Sequence, residues 1–410
     1  MKGMKATPRA TWRLAGWIVA AGLGIFVLGF VAIFARWFMV AGLQGGFDAV
    51  QRFVRHGSTT IDDFTLYPAR HLTPSRSPFQ FAEGADDRLV PDFVEIAGAE
   101  RRRLADTLSD SETIAFLIIK DDTILYEHYD GGHTAESLSQ YFSVTKSVTS
   151  ALIGAAVDDR IIRSSEQQVV DFVPEFVGRG FDLLTIGHLL NMTSGIDYVE
   201  SDNPFGLHVP FNYTSDIERM MLDFRMAGEP GDEFQYKSGD VGLLSLVLSR
   251  ALAPRTITAY AQERLWTPLG MEFEGVWSVD RESGLEKAWC CLAGTARDLA
   301  KIGRLYLGHG EWNGARVLSA SWVDRSVREG GVDASVWPAS FGAAGFRGYG
   351  NWWWLLTKDE GDYLAQGKDG QFLYVNPTRE TIIVRLGRSA GGLRTSQWAS
   401  LFRYLARETN

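Results

Sequence analysis

The apolar positions of this 410-residue chain change their period several times, and each change marks an element. Residues 14–35 form an uncharged, mainly apolar run, which as a helix would span about 33 Å, enough for a bilayer core. Residues 37–86 lose any clear period and carry Gly42, Gly45, Gly46, Pro68, Pro74 and Pro78, which reads as a juxtamembrane linker with a short amphipathic piece over 47–54. The globular part is expected to begin at 87. Residues 115–120 are apolar and β-rich, Asp121-Asp122 is a turn, and 123–129 reads as a second strand, together a hairpin. The segment 141–150 runs into 151–157, helical in composition. Thr185 caps a helix over 185–192 that Thr193-Ser194-Gly195 ends. A further apolar helix over 241–252 stops before Pro254, and Thr295 starts another. Residues 371–375 and 381–386 flank the turn 376–379 as a second hairpin, and 396–407 reads as a terminal amphipathic helix. The order predicts an α+β protein: one antiparallel sheet drawn from both chain ends, with a mostly helical insertion over about 141–290.

Charge sets the expected topology. Lys2, Lys5, Arg9 and Arg13 precede the apolar run and only Arg36 follows it closely. The positive-inside bias then puts residues 1–13 in the cytoplasm, makes 14–36 a single-pass signal anchor, and places 87–410 outside the cytoplasm, in the periplasm of a Gram-negative cell. Trp12, Trp17 and Trp37 fit interfacial anchors. The competing reading is a cleaved signal peptide, but its core is usually shorter and ends at small residues, whereas Arg36-Trp37-Phe38-Met39 follows directly.

Composition narrows the classes. Hydrophobic content of 45% and charged content of 22% allow a sizeable core, and a net charge of −9 argues against a nucleic-acid partner. The two cysteines, Cys290 and Cys291, are adjacent, so no disulfide framework is possible. They read as two small buried apolar side chains, with a vicinal disulfide as the alternative. No HExxH or comparable spacing suggests a metal, no glycine-rich loop suggests a nucleotide, and no cofactor is expected. No Gly-x-Ser-x-Gly elbow occurs, which counts against an α/β-hydrolase.

Three clusters carry candidate chemistry. In Tyr141-Phe142-Ser143-Val144-Thr145-Lys146, a helix would set Ser143 beside Lys146 on one face, a hydroxyl next to an amine able to take its proton. In Gly231-Asp232-Glu233-Phe234-Gln235-Tyr236-Lys237-Ser238, the loop residues Tyr236 and Ser238 can both face a pocket. Gly367-Lys368-Asp369-Gly370-Gln371 enters a late strand. His188, on an apolar helix, reads as a hydrogen-bonded core histidine rather than a catalyst. The run Trp352-Trp353-Trp354 reads equally as pocket lining or as ordinary packing.

In order, spacing and flanks these clusters resemble the serine β-lactamase-fold hydrolases of the penicillin-recognising superfamily, nearest the class C β-lactamase, carboxylesterase and aminohexanoate-dimer hydrolase branch. That family carries Ser-x-x-Lys, Tyr-x-Asn or Tyr-x-Ser, and a Lys-Thr-Gly-like triplet on a sheet strand. Leu189-Leu190-Asn191-Met192-Thr193-Ser194-Gly195 and Tyr349-Gly350-Asn351-Trp352-Trp353 fit as well, so the resemblance covers about 90–405. It implies a β-lactamase/transpeptidase-like fold, Ser143 as acyl-forming nucleophile, and Lys146 with Tyr236 as general base and later proton donor. A lysine cation beside the phenol, whose pKa is ordinarily near 10, would favour the phenolate. The resemblance also implies an oxyanion hole from the backbone N–H groups of Ser143 and Gln371, and substrate binding by Ser238, Lys368, Asp369 and Gly370. Two departures stand out. Ser238 replaces the frequent asparagine, and Asp369 replaces a threonine that helps bind the β-lactam carboxylate. The expected substrate is therefore a neutral or cationic ester, amide or peptide rather than a β-lactam. A penicillin-binding-protein-like D,D-peptidase, a β-lactamase, and an inactive binding protein on the same fold remain the alternatives.

Overall fold

The computed structural model describes residues 19–36, 59–84, 89–98, 101–201, 206–332 and 335–409. They belong to two compact units: 1–58 with 201–216, and 59–200 with 217–410. The first contains the exposed helix Val19–Arg36, whose 18 residues have a mean hydropathy of 2.2, long and apolar enough to cross a membrane. It also contains the short helix His208–Tyr213. The expected segments 1–13, 14–18 and 37–58, the amphipathic piece over 47–54 included, lie outside the described residues.

The second unit is built on strands that are apolar without strict alternation, the pattern of a sheet covered on both faces. In chain order, the strands of its two larger sheets are β1 (Ala69–Leu72), β2 (Ala82–Glu83), β3 (Thr113–Lys120), β4 (Thr123–Tyr129), β5 (Ser139–Gln140), β6 (Gly275–Ser278), β7 (Leu292–Gly294), β8 (Gly348–Gly350), β9 (Trp353–Leu355), β10 (Tyr363–Gly367), β11 (Gln371–Asn376) and β12 (Thr381–Gly387). The main sheet has the order β8-β9-β10-β11-β12-β3-β4-β2 and is antiparallel except for the β2–β4 pair. Strands from both chain ends meet where β12 pairs with β3, Ile383 opposite Ile118. Both expected hairpins are present, and Asp121 and Asp122 take the positive φ that a tight two-residue turn requires.

Five helices position the site: α1 (Val144–Asp158), α2 (Ile186–Leu190), α3 (Ser238–Leu252), α4 (Ala296–Leu307) and α5 (Thr395–Glu408). Strand β11 shows how two of them cover the sheet. Phe372 and Tyr374 pack against Phe402 of α5, edge-on and tilted, at centroid distances of 5.4 and 5.5 Å. Leu373 and Val375 point the other way, toward α4. There the helix comes so close that a Cβ on Gly303 would lie 2.9 Å from Leu373 Cδ1. Helix α1 is buried from Val144 to Ala156, its polar residues Thr145, Lys146, Ser147, Thr149 and Ser150 included, as a central core helix is.

A second sheet, β1-β6-β7-β5, places Ala69 opposite Ser278. Residues 59–84, expected within a linker, are thus part of the folded body from its first strand. A four-residue strand is too short to show a period, and its partner lies about two hundred residues away, so no local signal betrays it. Cys290 and Cys291 also depart from the favoured reading. They form a vicinal disulfide with an S–S distance of 2.01 Å, in a turn where both backbone N–H groups donate to Lys287 O. That turn sets the two sulfurs side by side, which adjacency alone did not decide.

Candidate active site

The segment before Ser143 is fixed at both ends. Tyr141 N donates to Leu292 O, and its hydroxyl donates to Thr295 O. Phe142 then takes φ +46°, a left-handed conformation costly for a bulky residue and held here by burial. This kink leads into α1, whose N-terminal turn carries half-buried Ser143 and fully buried Lys146. Lys146 Nζ reaches Ser143 Oγ at 2.8 Å, Trp289 O at 2.8 Å and Ser238 Oγ at 3.3 Å. Burial pushes the Lys146 amine down from 10.5 to about 8, while Glu200 acts to raise it. A substantial neutral fraction is therefore present at mildly alkaline pH.

Tyr236 is brought in by a loop laid along the segment after α2. Gln235 N donates to Met192 O, Gly231 N to Thr193 O, and Lys237 N to Met192 Sδ. Gly195, at φ +72°, lets that segment pass Gly228, whose carbonyl would lie 2.4 Å from an added Cβ. The Tyr236 ring centroid is 5.0 Å from Lys146 Nζ. Burial and then Glu200 raise the phenol above its ordinary value, and Ser143 offsets this only partly. The expected phenolate is thus disfavoured, because loss of hydration and a nearby carboxylate both favour the neutral phenol.

Ser238 opens α3 rather than lying in the loop. Its Oγ donates to Glu200 Oε1 at 2.8 Å and its backbone N to Glu200 Oε2 at 2.7 Å. Farther back, Asp240 accepts from Ser194 Oγ at 2.6 Å and is pushed up to about 7 by burial, while Lys237 Nζ donates to Ile196 O.

The third cluster is arranged differently from expectation. Lys368 points to residue 59, donating to Thr59 Oγ1 at 2.7 Å. Half-buried Asp369 sits at φ +58°, and burial raises its carboxyl. Gly370 packs against Arg385, whose Nη1 donates to the carbonyls of Asp369 and Gly370. The Gln371 N–H already donates to Lys368 O, so it is not a free oxyanion donor. The backbone that lies against Ser143 is Gly367: an added Cβ there would be 3.1 Å from Ser143 N and 2.7 Å from Tyr141 O. Pairing of β10 with β9 ends at Leu364, which leaves one edge of 365–367 without a strand partner beside the serine.

Of the tryptophan run only Trp354 reaches the site, stacked on Tyr236 at 5.8 Å within a cluster that includes Phe234, Trp337 and Phe341. Trp352 Nε1 donates to Leu189 O, and Trp353 packs on Tyr306. His188 Nδ1 completes a capping box with Thr185 at the start of α2. Among the described residues no group of His, Cys, Asp and Glu could hold a metal ion. Sequence reasoning missed Glu200, an ordinary loop carboxylate with no motif around it, and Phe142, whose backbone angle no residue type announces. It also chose Gly370 over Gly367, three positions earlier in the same segment.

Comparison with known proteins shows what this chain is similar to. A family model described as Beta-lactamase matches residues 101–402. A 6-aminohexanoate-dimer hydrolase of Paenarthrobacter ureafaciens is 30% identical over 301 residues, 70% of this chain and 74% of the relative. A solved structure from Bacillus anthracis, provisionally described as a 6-aminohexanoate-dimer hydrolase, superposes with a TM-score of 0.71 at 20% identity, covering 85% of this chain and 92% of that one. A family VIII carboxylesterase superposes with a TM-score of 0.57 at 16% identity over 74% and 95% of the two chains. At these identities the two structures bear on the fold alone.

Proposed function

The chain belongs to the beta-lactamase family of serine hydrolases, and on that premise we propose that it is a membrane-anchored enzyme cleaving a linear ester or amide through an acyl-enzyme on Ser143. The observation that carries the reading is the buried Lys146 amine, 2.8 Å from Ser143 Oγ and pushed down to about 8. In its neutral form it takes the serine proton as Oγ attacks the substrate carbonyl. The oxygen of the tetrahedral intermediate rests on the Ser143 N–H, at the positive end of α1, and on the backbone edge at Gly367. Tyr236, kept protonated by burial, gives its proton to the leaving oxygen or nitrogen and recovers one from Lys146. The C–O bond to serine forms, the bond to the leaving group breaks, and the proton passes from Ser143 to the leaving group. Water then reverses the sequence.

The relative named for hydrolysing a 6-aminohexanoate dimer supports the amide side of the pair. Lys368, turned to Thr59, and Asp369 in place of threonine weigh against a β-lactam. Helix Val19–Arg36 would anchor the enzyme, with the N-terminus cytoplasmic and the hydrolase outside. Hydrolysis of a short-chain p-nitrophenyl ester by the full chain in detergent tests the chemistry. Activity and fluorophosphonate labelling that vanish in Ser143→Ala are expected; labelling that persists would rule out Ser143 as nucleophile. Protease added to intact cells should reach the hydrolase domain only after the outer barrier is opened, and access solely from the cytoplasm would reverse the topology.

A further inference from the structure

The hydrogen positions around Lys146 follow from counting donors and acceptors. Trp289 O can only accept, so one Lys146 N–H is spent on it. Ser238 has a single hydroxyl hydrogen, and it goes to Glu200 Oε1. Ser238 Oγ can therefore meet Lys146 only as an acceptor, which uses a second N–H. A neutral amine has two N–H bonds and one lone pair. With both N–H bonds committed, the lone pair faces the remaining neighbour, Ser143 Oγ, at 2.8 Å.

We propose that Glu200 is a positioning residue of the reaction: by fixing the Ser238 hydroxyl it aims the Lys146 lone pair at Ser143. The inference rests on the reading that Ser143 is acylated. Glu200 touches neither Ser143 nor the amine in this arrangement; its two oxygens hold Ser238 Oγ and Ser238 N. The bland alternative is that it merely caps α3, satisfying one of the N–H groups left open at a helix start. The other groups around the amine do not set this polarity. Tyr236 stacks its ring over Nζ, Lys237 is spent on Ile196 O, Asp240 on Ser194, and Lys287, near the Trp289 segment, lies 3.5 Å from the Tyr67 ring centroid. The buried part of α1 carries no other charge.

Glu200→Gln separates the two roles. An amide has one acceptor oxygen, while Ser238 N–H and O–H both need acceptors. With that oxygen on Ser238 N–H, the amide NH2 faces Ser238 Oγ, and the hydroxyl turns toward its neighbour, the Lys146 lone pair. The expected result is a fall in kcat/KM on the alkaline plateau of about tenfold or more, smaller than the roughly 100-fold at the low end of general-base catalysis because the base is misdirected rather than removed, carried in kcat with little change in KM. Loss of the carboxylate also removes the charge that raises the amine, so the acidic limb moves to lower pH. Glu200→Asp keeps both acceptors and the charge and should recover most of the rate. Glu200→Ala frees the same hydroxyl and should repeat both signs, so it decides the matter should Glu200→Gln fold poorly.

The measurement is the pH dependence of p-nitrophenyl acetate hydrolysis and of fluorophosphonate acylation, on the full chain in detergent, with thermal unfolding of each variant. A limb that stays at the wild-type pH, with kcat per folded enzyme unchanged and only Tm lowered, would reduce Glu200 to a helix cap and overturn the proposal. A wild-type chain that neither turns over the ester nor takes the label would overturn the hydrolase reading, and the role of Glu200 with it.

Discussion

Replacing Gly367 by alanine tests where the reacting carbonyl sits. The new methyl would meet Tyr141 O at 2.7 Å, Phe142 Cβ at 3.1 Å and Ser143 N at 3.1 Å, whereas ordinary contact begins near 3.4 Å. The first and last of these are backbone atoms, held by the Tyr141 hydrogen bonds and the start of α1, so no flexible side chain can yield. The β10 edge must part from Ser143 by about 0.7 Å to restore contact at Tyr141. A displacement approaching 1 Å at a reacting centre costs up to about 100-fold, and loss of one oxyanion donor about 100- to 1,000-fold. We therefore expect kcat/KM for p-nitrophenyl acetate to fall on the order of 10- to 100-fold, mostly in kcat. Overpacking should cost about 1–3 kcal/mol of stability, a Tm drop of a few degrees. Gly370→Ala is the control. Its Cβ would strike Arg385 Nη1 at 2.2 Å and its φ is +78°, so it should lower Tm without a comparable fall in kcat/KM per folded enzyme. A folded Gly367→Ala protein within twofold of wild type, or a Gly370→Ala protein that loses activity as severely, would refute the placement.

Lys146 must be neutral to accept the serine proton, and its amine sits at about 8, so wild-type kcat/KM should rise about tenfold per pH unit below that point and level above it. A profile flat from pH 6 to 9 would remove Lys146 as base. Arg385→Lys should lower Tm by several degrees, because the guanidinium donates to Thr113 Oγ1 and to the carbonyls of Ser111, Asp369, Gly370 and Ser389, and an ammonium cannot reach them all; stranded carbonyls cost about 1–3 kcal/mol each. An unchanged melting curve would contradict that account. Penicillin and cephalosporin turnover should be far slower than p-nitrophenyl ester turnover, since Lys368 is engaged by Thr59; fast β-lactam hydrolysis would reverse the substrate assignment.

The elements legible in the sequence are those whose signals are local. The hairpins 113–129 and 371–387 announce themselves by short turns between apolar runs, and the starts of α2 and α4 by Thr185 and Thr295, both of which cap as expected. The pair Ser143 and Lys146 is legible because three residues along a helix fix their meeting whatever the rest of the chain does. Tyr236 needed the resemblance to be singled out, and tertiary packing brings it over the amine. What only the tertiary structure decided is everything set by contact between distant segments. Strand β1 is defined by a partner at 275–278, and the true neighbour of Ser143 is Gly367 rather than Gly370 because β10 passes Tyr141 at backbone distance. The phenol of Tyr236 stays protonated because burial and Glu200 both favour its neutral form, and only the fold brings them to it. Glu200 itself has no motif: a loop carboxylate acquires its place only when the start of α3 presents Ser238 to it. Periodicity and capping are properties of neighbours in the chain, whereas hydrogen-bond direction and proton affinity depend on which remote groups share a desolvated space.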